Sequence, residues 1–186
     1  MTWLEDAERV DHAIYGAVAT TATPSLDAAM RRLSGAADHS KLSMASAAVL
    51  ALAGGQRGRR AARTGLASVA VTATIVNLVI KPLGRRRRPE PPEDHAPARK
   101  LDIPSSRSFP SGHTAAAVSF ATGVGREAPL AAVPLHLLAA TVGYSRIHTG
   151  VHYPGDVIVG SLIGTTVGET VAFLVRRRGL PTEPTR

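Results

Sequence analysis

Three blocks of this 186-residue sequence carry side chains that can do chemistry on an anion. The first runs from Lys81 to the arginines Arg85 to Arg88, and the second is Pro110-Ser111-Gly112-His113. The third extends from Tyr144 to Asp156 and holds Ser145, Arg146, His148, His152 and the turn-forming Tyr153-Pro154-Gly155. Lysine, several arginines, serine, two or three histidines and one aspartate together make the composition of a phosphate site. Cations neutralise the oxyanion, and the planar fork of arginine matches phosphate oxygens. Backbone amides at the start of a helix near Gly112 add donors, helped by the helix dipole. A histidine at such a helix start tends to lose its proton, whereas a bound phosphate holds it protonated and ready as an acid.

These blocks act together only if a scaffold brings them to one side, and the distribution of charge says what that scaffold is. Residues 42–55, 64–80, 113–125, 128–144 and 157–175 carry one formal charge between them, Glu169. Each stretch reads as a helix rich in small and aliphatic residues, apolar all round rather than along one stripe. Most are shorter than the roughly 20 residues that span a bilayer core, so singly each also fits a buried helix of a soluble protein. Five of them leave too little polar face for a soluble bundle, and their small residues suit close packing in lipid. The expected fold class is all-α, an integral membrane helical bundle with N-terminal amphipathic helices.

Within residues 1–40, Ala7, Val10, Ile14 and Val18 share one helical face and Leu26, Met30 and Leu33 another. Pro24-Ser25 serves as break and N-cap between them, and Gly35 as a stop. These helices are expected at the membrane surface or against the bundle. Acids at positions 5, 6 and 8 and the lack of a basic start argue against a cleavable signal peptide. Residues 41–175 form the catalytic bundle, and 176–186, basic and holding Pro181 and Pro184, are expected to be a disordered tail. If the five apolar stretches cross in turn, the end of the second, the start of the third, the end of the fourth and the start of the fifth share one face. All three reactive blocks sit at those places.

Composition narrows the partner. The formal charge is +8, and of 22 cationic residues only Lys41, Lys81 and Lys100 are not arginine. Nucleic acid, anionic lipid and a phosphorylated substrate are the candidates. Aromatic residues make up 4%, too few for a nucleic-acid stacking platform, so no nucleic-acid partner is expected. The absence of cysteine excludes a thiolate nucleophile and Cys-ligated metals.

Lys81-x6-Arg88-Pro89, Pro110-Ser111-Gly112-His113 and Ser145-Arg146-x5-His152-x3-Asp156 resemble, without a mismatch, the signature of the type 2 phosphatidic acid phosphatase superfamily. The resemblance covers about residues 64 to 175. It implies that His152 is the nucleophile forming a phosphohistidine, that Asp156 holds its other ring N–H, and that His113 protonates the leaving alkoxide. It further implies that Lys81, Arg88, Ser111 and Arg146, with the Gly112 amide, grip the phosphate oxygens. No metal and no cofactor is expected. The implied substrate is a lipid phosphate or diphosphate, with a polyprenyl carrier the first choice and phosphatidate or phosphatidylglycerophosphate the alternatives. Many membrane members have six spanning helices against the five counted here, which leaves a sixth to the N-terminal region.

Other residues have plainer readings. Arg85 to Arg87 fit a headgroup-binding rim. His148, His152 and Asp156 are spaced four apart like a metal triad, but Gly150 and Pro154-Gly155 break the helix a triad needs. His148 then supports the site from behind or belongs to local structure. His136 reads as a satisfied interior histidine, Asn77 as a bond between helices, and Glu169 as an acid facing the interior with a partner. Residues 89–109 read as a flexible cover that gates lipid entry. Two other classes stay open: a vanadate-binding haloperoxidase, and a non-enzymatic basic module binding anionic lipid. Nine cations fall on the reactive face and eight on the other. Setting aside those assigned to phosphate puts the second set in the cytoplasm and the reactive face outside the cell membrane.

Overall fold

The computed structural model describes residues 2–84, 86–90 and 106–178. Its elements are α1 (Trp3–Thr20), α2 (Pro24–Ala36), a 3-10 turn (Asp38–Ser40), α3 (Lys41–Ala53), α4 (Gly55–Thr74), a π-helical segment (Ile75–Ile80), α5 (Lys81–Leu83), α6 (Gly112–Gly125), α7 (Pro129–His148) and α8 (Pro154–Arg178). The described residues form an all-helical membrane bundle. Three helical runs, Gly55–Leu83, Pro129–His148 and Pro154–Arg177, are long and apolar enough to cross a bilayer. The other two apolar stretches form α3 and α6, of 13 and 14 residues, below the length of about 20 that a span needs.

The core is built around α6, where every residue from Thr114 to Val124 except Ala117 is buried. Small residues make this possible. A Cβ on Gly160 of α8 would stand 2.6 Å from the Ser111 carbonyl oxygen, and one on Gly168 would stand 2.9 Å from that of Ser119. Gly160, Gly164 and Gly168, one turn apart, therefore let α8 lie directly on the α6 backbone. On the other side, Phe120 and Val124 pack with Ala47, Ala61, Ala62 and Val69 of α3 and α4. Outward-facing Leu130, Val133 and Leu137 of α7 and Ile158 and Leu162 of α8 are more than half exposed. So many exposed aliphatic side chains suit a surface wetted by lipid tails.

Several boundaries differ from expectation. Helix α4 starts at Gly55, nine residues before the apolar stretch 64–80, so Arg57 to Arg63 form its first turns. Its close crossing with α3 explains this, because Gly54 and Gly58 stack on the Leu50 carbonyl and leave no room for a loop. Helix α2 begins at Pro24 with Thr23 as its N-cap position. Helix α8 continues through Arg178, so Arg176 to Arg178 are helical, not tail; residues 179–186 lie outside the described residues. Most of the expected cover loop, residues 91–105, also lies outside them.

Helix α1 is inverted relative to simple amphipathicity. Val10 and Ile14 are exposed, while Asp11, Tyr15 and Ala19 on the adjacent stripe are buried, Tyr15 and Ala19 against Tyr153 and Ile147. Helix α2 likewise buries Asp27, Met30 and Ser34. Each helix thus presents an acid to the bundle; α1 leaves Val10 and Ile14 outward, whereas α2 keeps Leu26, Met30 and Leu33 at least half-buried and turns Arg31 and Arg32 outward. Asn77 is exposed in the π-helical segment, not buried between helices. Glu169 lies toward the far end of α8 from Asp156, 40% exposed and bonded to Arg126, so it has its partner but does not face the interior.

Candidate active site

The end of α5, the start of α6, the end of α7 and the start of α8 converge, and they carry the three reactive blocks. Helix α7 stops at His148, and Gly150 takes a left-handed conformation, φ 72°, that glycine adopts without a Cβ clash. The chain then folds back, and the N–H groups of Val151 and His152 both donate to the Arg146 carbonyl at 3.1 Å. This places His152 beside the helix that carries Arg146. Pro154 opens α8, where its missing N–H costs nothing. Asp156, in the first turn, accepts the backbone N–H of Tyr153 at 2.9 Å, as an acid does in a capping box.

His152 and Asp156 are both fully buried, with Nδ1 of the ring 3.4 Å from Oδ2 of the carboxylate. The Ser108 hydroxyl donates to the same Oδ2, and Arg86 donates from Nη1 to Oδ1 at 3.1 Å. On the other side of the ring, Arg88 Nη1 lies 3.3 Å from Nε2. Arg88 is itself held by the carbonyls of Val151 (2.7 Å) and Ser106 (3.0 Å). Burial pushes the His152 pKa down to about 4; Asp156 opposes the shift and Arg88 adds to it. The imidazole is thus neutral at physiological pH, with Nε2 beside a cation.

The remaining cations come from other helices. Arg146 is buried and donates from Nη1 to the Ser34 carbonyl (3.1 Å) and hydroxyl (2.8 Å). Lys81 Nζ would lie 3.6 Å from a Cβ on Gly112, so it faces the first turn of α6. His113, the second residue of α6, has Nε2 at 2.8 Å from Asp38 Oδ1. Ser111 is buried, with its hydroxyl 2.9 Å from that of Thr114 and its N–H donated to the Asp156 carbonyl at 2.9 Å. Its side chain thereby braces the first turn of α6. Lys81, Arg88, Gly112, His113, Arg146, His152 and Asp156 are brought to the same end of the bundle. His136 is satisfied by the Ala132 carbonyl at 2.9 Å and Thr122 at 3.3 Å. Among the described residues no cluster of three or more acidic, histidine or cysteine side chains has the arrangement of a metal site.

Some participants have no sign in the three blocks. Arg86 was expected at the rim with Arg85 and Arg87, but its guanidinium stacks 4.2 Å above the Tyr153 ring and joins Asp156 to Asp11. Asp11 in turn accepts the Gly155 N–H at 2.6 Å. These two carboxylates keep Arg86 charged: burial opposes its charge, yet its pKa is raised. His148 is fully buried 3.0 Å from Asp27, which ties α2 to the end of α7. Asp11, Asp27, Ser34 and Asp38 all belong to the first forty residues, where an acid on a short polar helix looks like any solvated acid. Ser108 could have been found only by its closeness to the second block.

With this geometry in place, comparison with known proteins decides the family. A model of the PAP2 superfamily matches residues 62–179. The chain belongs to the PAP2 superfamily. It is 37% identical over 163 residues to the decaprenylphosphoryl-5-phosphoribose phosphatase of Mycolicibacterium smegmatis, covering 84% of each chain. It is 42% identical over 106 residues to the enzyme of the same name from Mycobacterium tuberculosis, where the match spans 55% of each chain, about half the length of that relative. Among solved structures, the PAP2 type phosphatidylglycerolphosphate phosphatase of Bacillus subtilis superposes with a TM-score of 0.71 at 24% identity, over 96% of this chain and 90% of that one. Aquifex aeolicus LpxE gives a TM-score of 0.68 at 26% identity, over 86% and 92%.

The PAP2-matched stretch contains all eight residues of the three blocks assigned above to chemistry or phosphate, while Asp11, Asp27, Ser34 and Asp38 lie before it. Two outcomes follow for this PAP2 site. The ring of His152, identified by 15N shifts that vanish in His152→Ala, should remain neutral on acidification well past pH 6.5 and take up its proton near pH 4; titration near 6.5 would contradict the burial argument. Arg86→Ala should destabilise the protein by about 2–5 kcal/mol in thermal unfolding, because it strips the guanidinium from the buried Asp156 and from Asp11. Arg87→Ala, at an exposed position, should leave the transition unchanged.

Proposed function

We propose that this protein is a membrane phosphatase that hydrolyses the phosphate monoester of a lipid through a phosphohistidine. The observation that carries this reading is the neutral, buried His152 set between Asp156 and Arg88 at the end of an apolar bundle. Nε2 of His152 attacks phosphorus while the bond to the leaving oxygen breaks, and His113 gives that oxygen its proton. Asp156 steadies the positive charge that develops on the His152 ring. Water, losing a proton to His113, then cleaves the phosphorus–nitrogen bond and releases phosphate. Arg88, Arg146 and Lys81, with the Gly112 amide, hold the equatorial oxygens as charge spreads in the transition state. Every step uses side chains of this chain.

A polyprenyl-linked sugar phosphate is the favoured substrate. The support is the 37% identity, across 84% of both chains, to a relative named for decaprenylphosphoryl-5-phosphoribose. Phosphatidylglycerophosphate and phosphatidate are the competitors. Phosphate release from all three, each in mixed micelles with EDTA present, should be fastest with the polyprenyl substrate, unaffected by the chelator and lost in His152→Ala. Release by that variant at the parent rate would remove the mechanism, and preference for phosphatidylglycerophosphate would remove the substrate.

We place the protein in the cell membrane as a multi-pass protein with the site on the extracytoplasmic side, because Arg57, Arg59, Arg60, Arg63, Arg126, Arg176, Arg177 and Arg178 gather at the opposite end. Glu90 is exposed next to the site, and the chain has no native cysteine. Glu90→Cys should therefore react with an impermeant maleimide in intact cells; labelling only after lysis would reverse the orientation.

A further inference from the structure

Asp38 lies outside the three blocks and outside the stretch matched to the PAP2 superfamily, yet its carboxylate reaches the centre of the site. One oxygen, Oδ1, is 2.8 Å from Nε2 of His113 and 3.6 Å from Nη1 of Arg146. The backbone beyond it is strained. His39 and Ser40, in the turn Asp38–Ser40, have φ of 55° and 57°, two consecutive non-glycine residues in the left-handed region. Such conformations cost on the order of 1–3 kcal/mol each and persist where the surroundings impose them. Ser34, one turn earlier, grips Arg146 through both its carbonyl and its hydroxyl. The end of α2 and the strained turn are thus fastened to α6 and α7 through the two residues that Asp38 faces.

We propose that Asp38 is the positioning residue of the leaving-group acid. Its carboxylate holds the His113 ring through the N–H at Nε2 and stabilises the imidazolium, which leaves Nδ1 to deliver the proton. The inference rests on the phosphatase reading above, with His113 as acid. In the first step the phosphorus–oxygen bond breaks as the phosphorus–nitrogen bond to His152 forms, and the Nδ1 proton moves to the leaving oxygen. Neutral His113 recovers a proton from the water that cleaves the phosphohistidine. Asp38 stays ionised throughout and gains or loses no atom. The site then contains two His–Asp pairs, one made across four positions of chain by Asp156 and one made across 75 by Asp38. The first serves attack and the second serves departure.

The test exploits the leaving group. An alkoxide needs a proton to depart, whereas p-nitrophenolate does not, so loss of acid catalysis should appear on dodecyl phosphate and not on p-nitrophenyl phosphate. For the full chain in detergent, Asp38→Asn should lower kcat/KM on dodecyl phosphate by about 10- to 100-fold, within the range a general acid contributes. On p-nitrophenyl phosphate it should change little. The ratio of the two values does not depend on how much of the variant folds. Asp38→Glu should restore much of the ratio, and Asp38→Asn should add no further loss in a His113→Ala background. Equal losses on both substrates would mean that Asp38 only braces Arg146 and would overturn the inference while leaving the phosphatase reading intact. Faster turnover by Asp38→Asn would show a carboxylate competing with phosphate and would overturn it too. A parent protein that releases phosphate from no substrate would remove the reading and the inference together.

Discussion

Arg86, Arg88 and Arg146 converge on one end of a bundle whose walls are apolar, and that convergence of like charge is the constraint the rest of the site answers. Cations held this close repel one another, and burial strips them of water. The surroundings respond with acceptors from four directions. Asp156 and Asp11 take Arg86, the Val151 and Ser106 carbonyls take Arg88, and Ser34 and Asp38 take Arg146. The side-chain acceptors Asp11, Asp156 and Asp38 and the Ser34 carbonyl and hydroxyl come from α1, α8, the 3-10 turn and α2, so these elements are fixed relative to one another by the same bonds that fix the cations. Here the cluster of cations and the tertiary structure are one network.

This explains why the N-terminal region turns three of its acids inward. Asp11, Asp27 and Asp38 each meet a different part of the site: Arg86 and Gly155, then His148, then His113 and Arg146. An isolated carboxylate in such a place would be costly, but each has a cationic or N–H partner. The exposed Val10 and Ile14 meanwhile face outward, where lipid tails can cover them. The N-terminal region is therefore a third wall of the site, although the PAP2 match begins only at residue 62.

Much of this was legible in the sequence, for identifiable reasons. Charge-free stretches gave the bundle, and their alternation correctly placed Lys81, His113, Arg146 and His152 at one end. Pro154-Gly155 correctly placed Asp156 in the first turn of a helix. Pairings across long separations were not legible: nothing near Asp38 says that it meets a residue 75 positions away, and nothing in a run of four arginines separates Arg86 from Arg87. The end of the last helix is not marked in the sequence, because arginines such as Arg176 to Arg178 continue a helix as readily as they start a tail. Asn77 was misread because the π-helical segment changes which side a residue faces.

That segment has a wider meaning. Within Ile75–Ile80 the turn is wider than α, and the Lys81 N–H donates to the carbonyl of Val76, five residues back. Each such widening delays the rotation of everything beyond it. Leu78 and Val79 stay outward while Lys81, only two residues on, swings to the first turn of α6. A single rod thus has two facings, one outward and one toward the first turn of α6, joined by a phase slip. The slip sets the aim of the lysine separately from the outward face of the apolar turns before it.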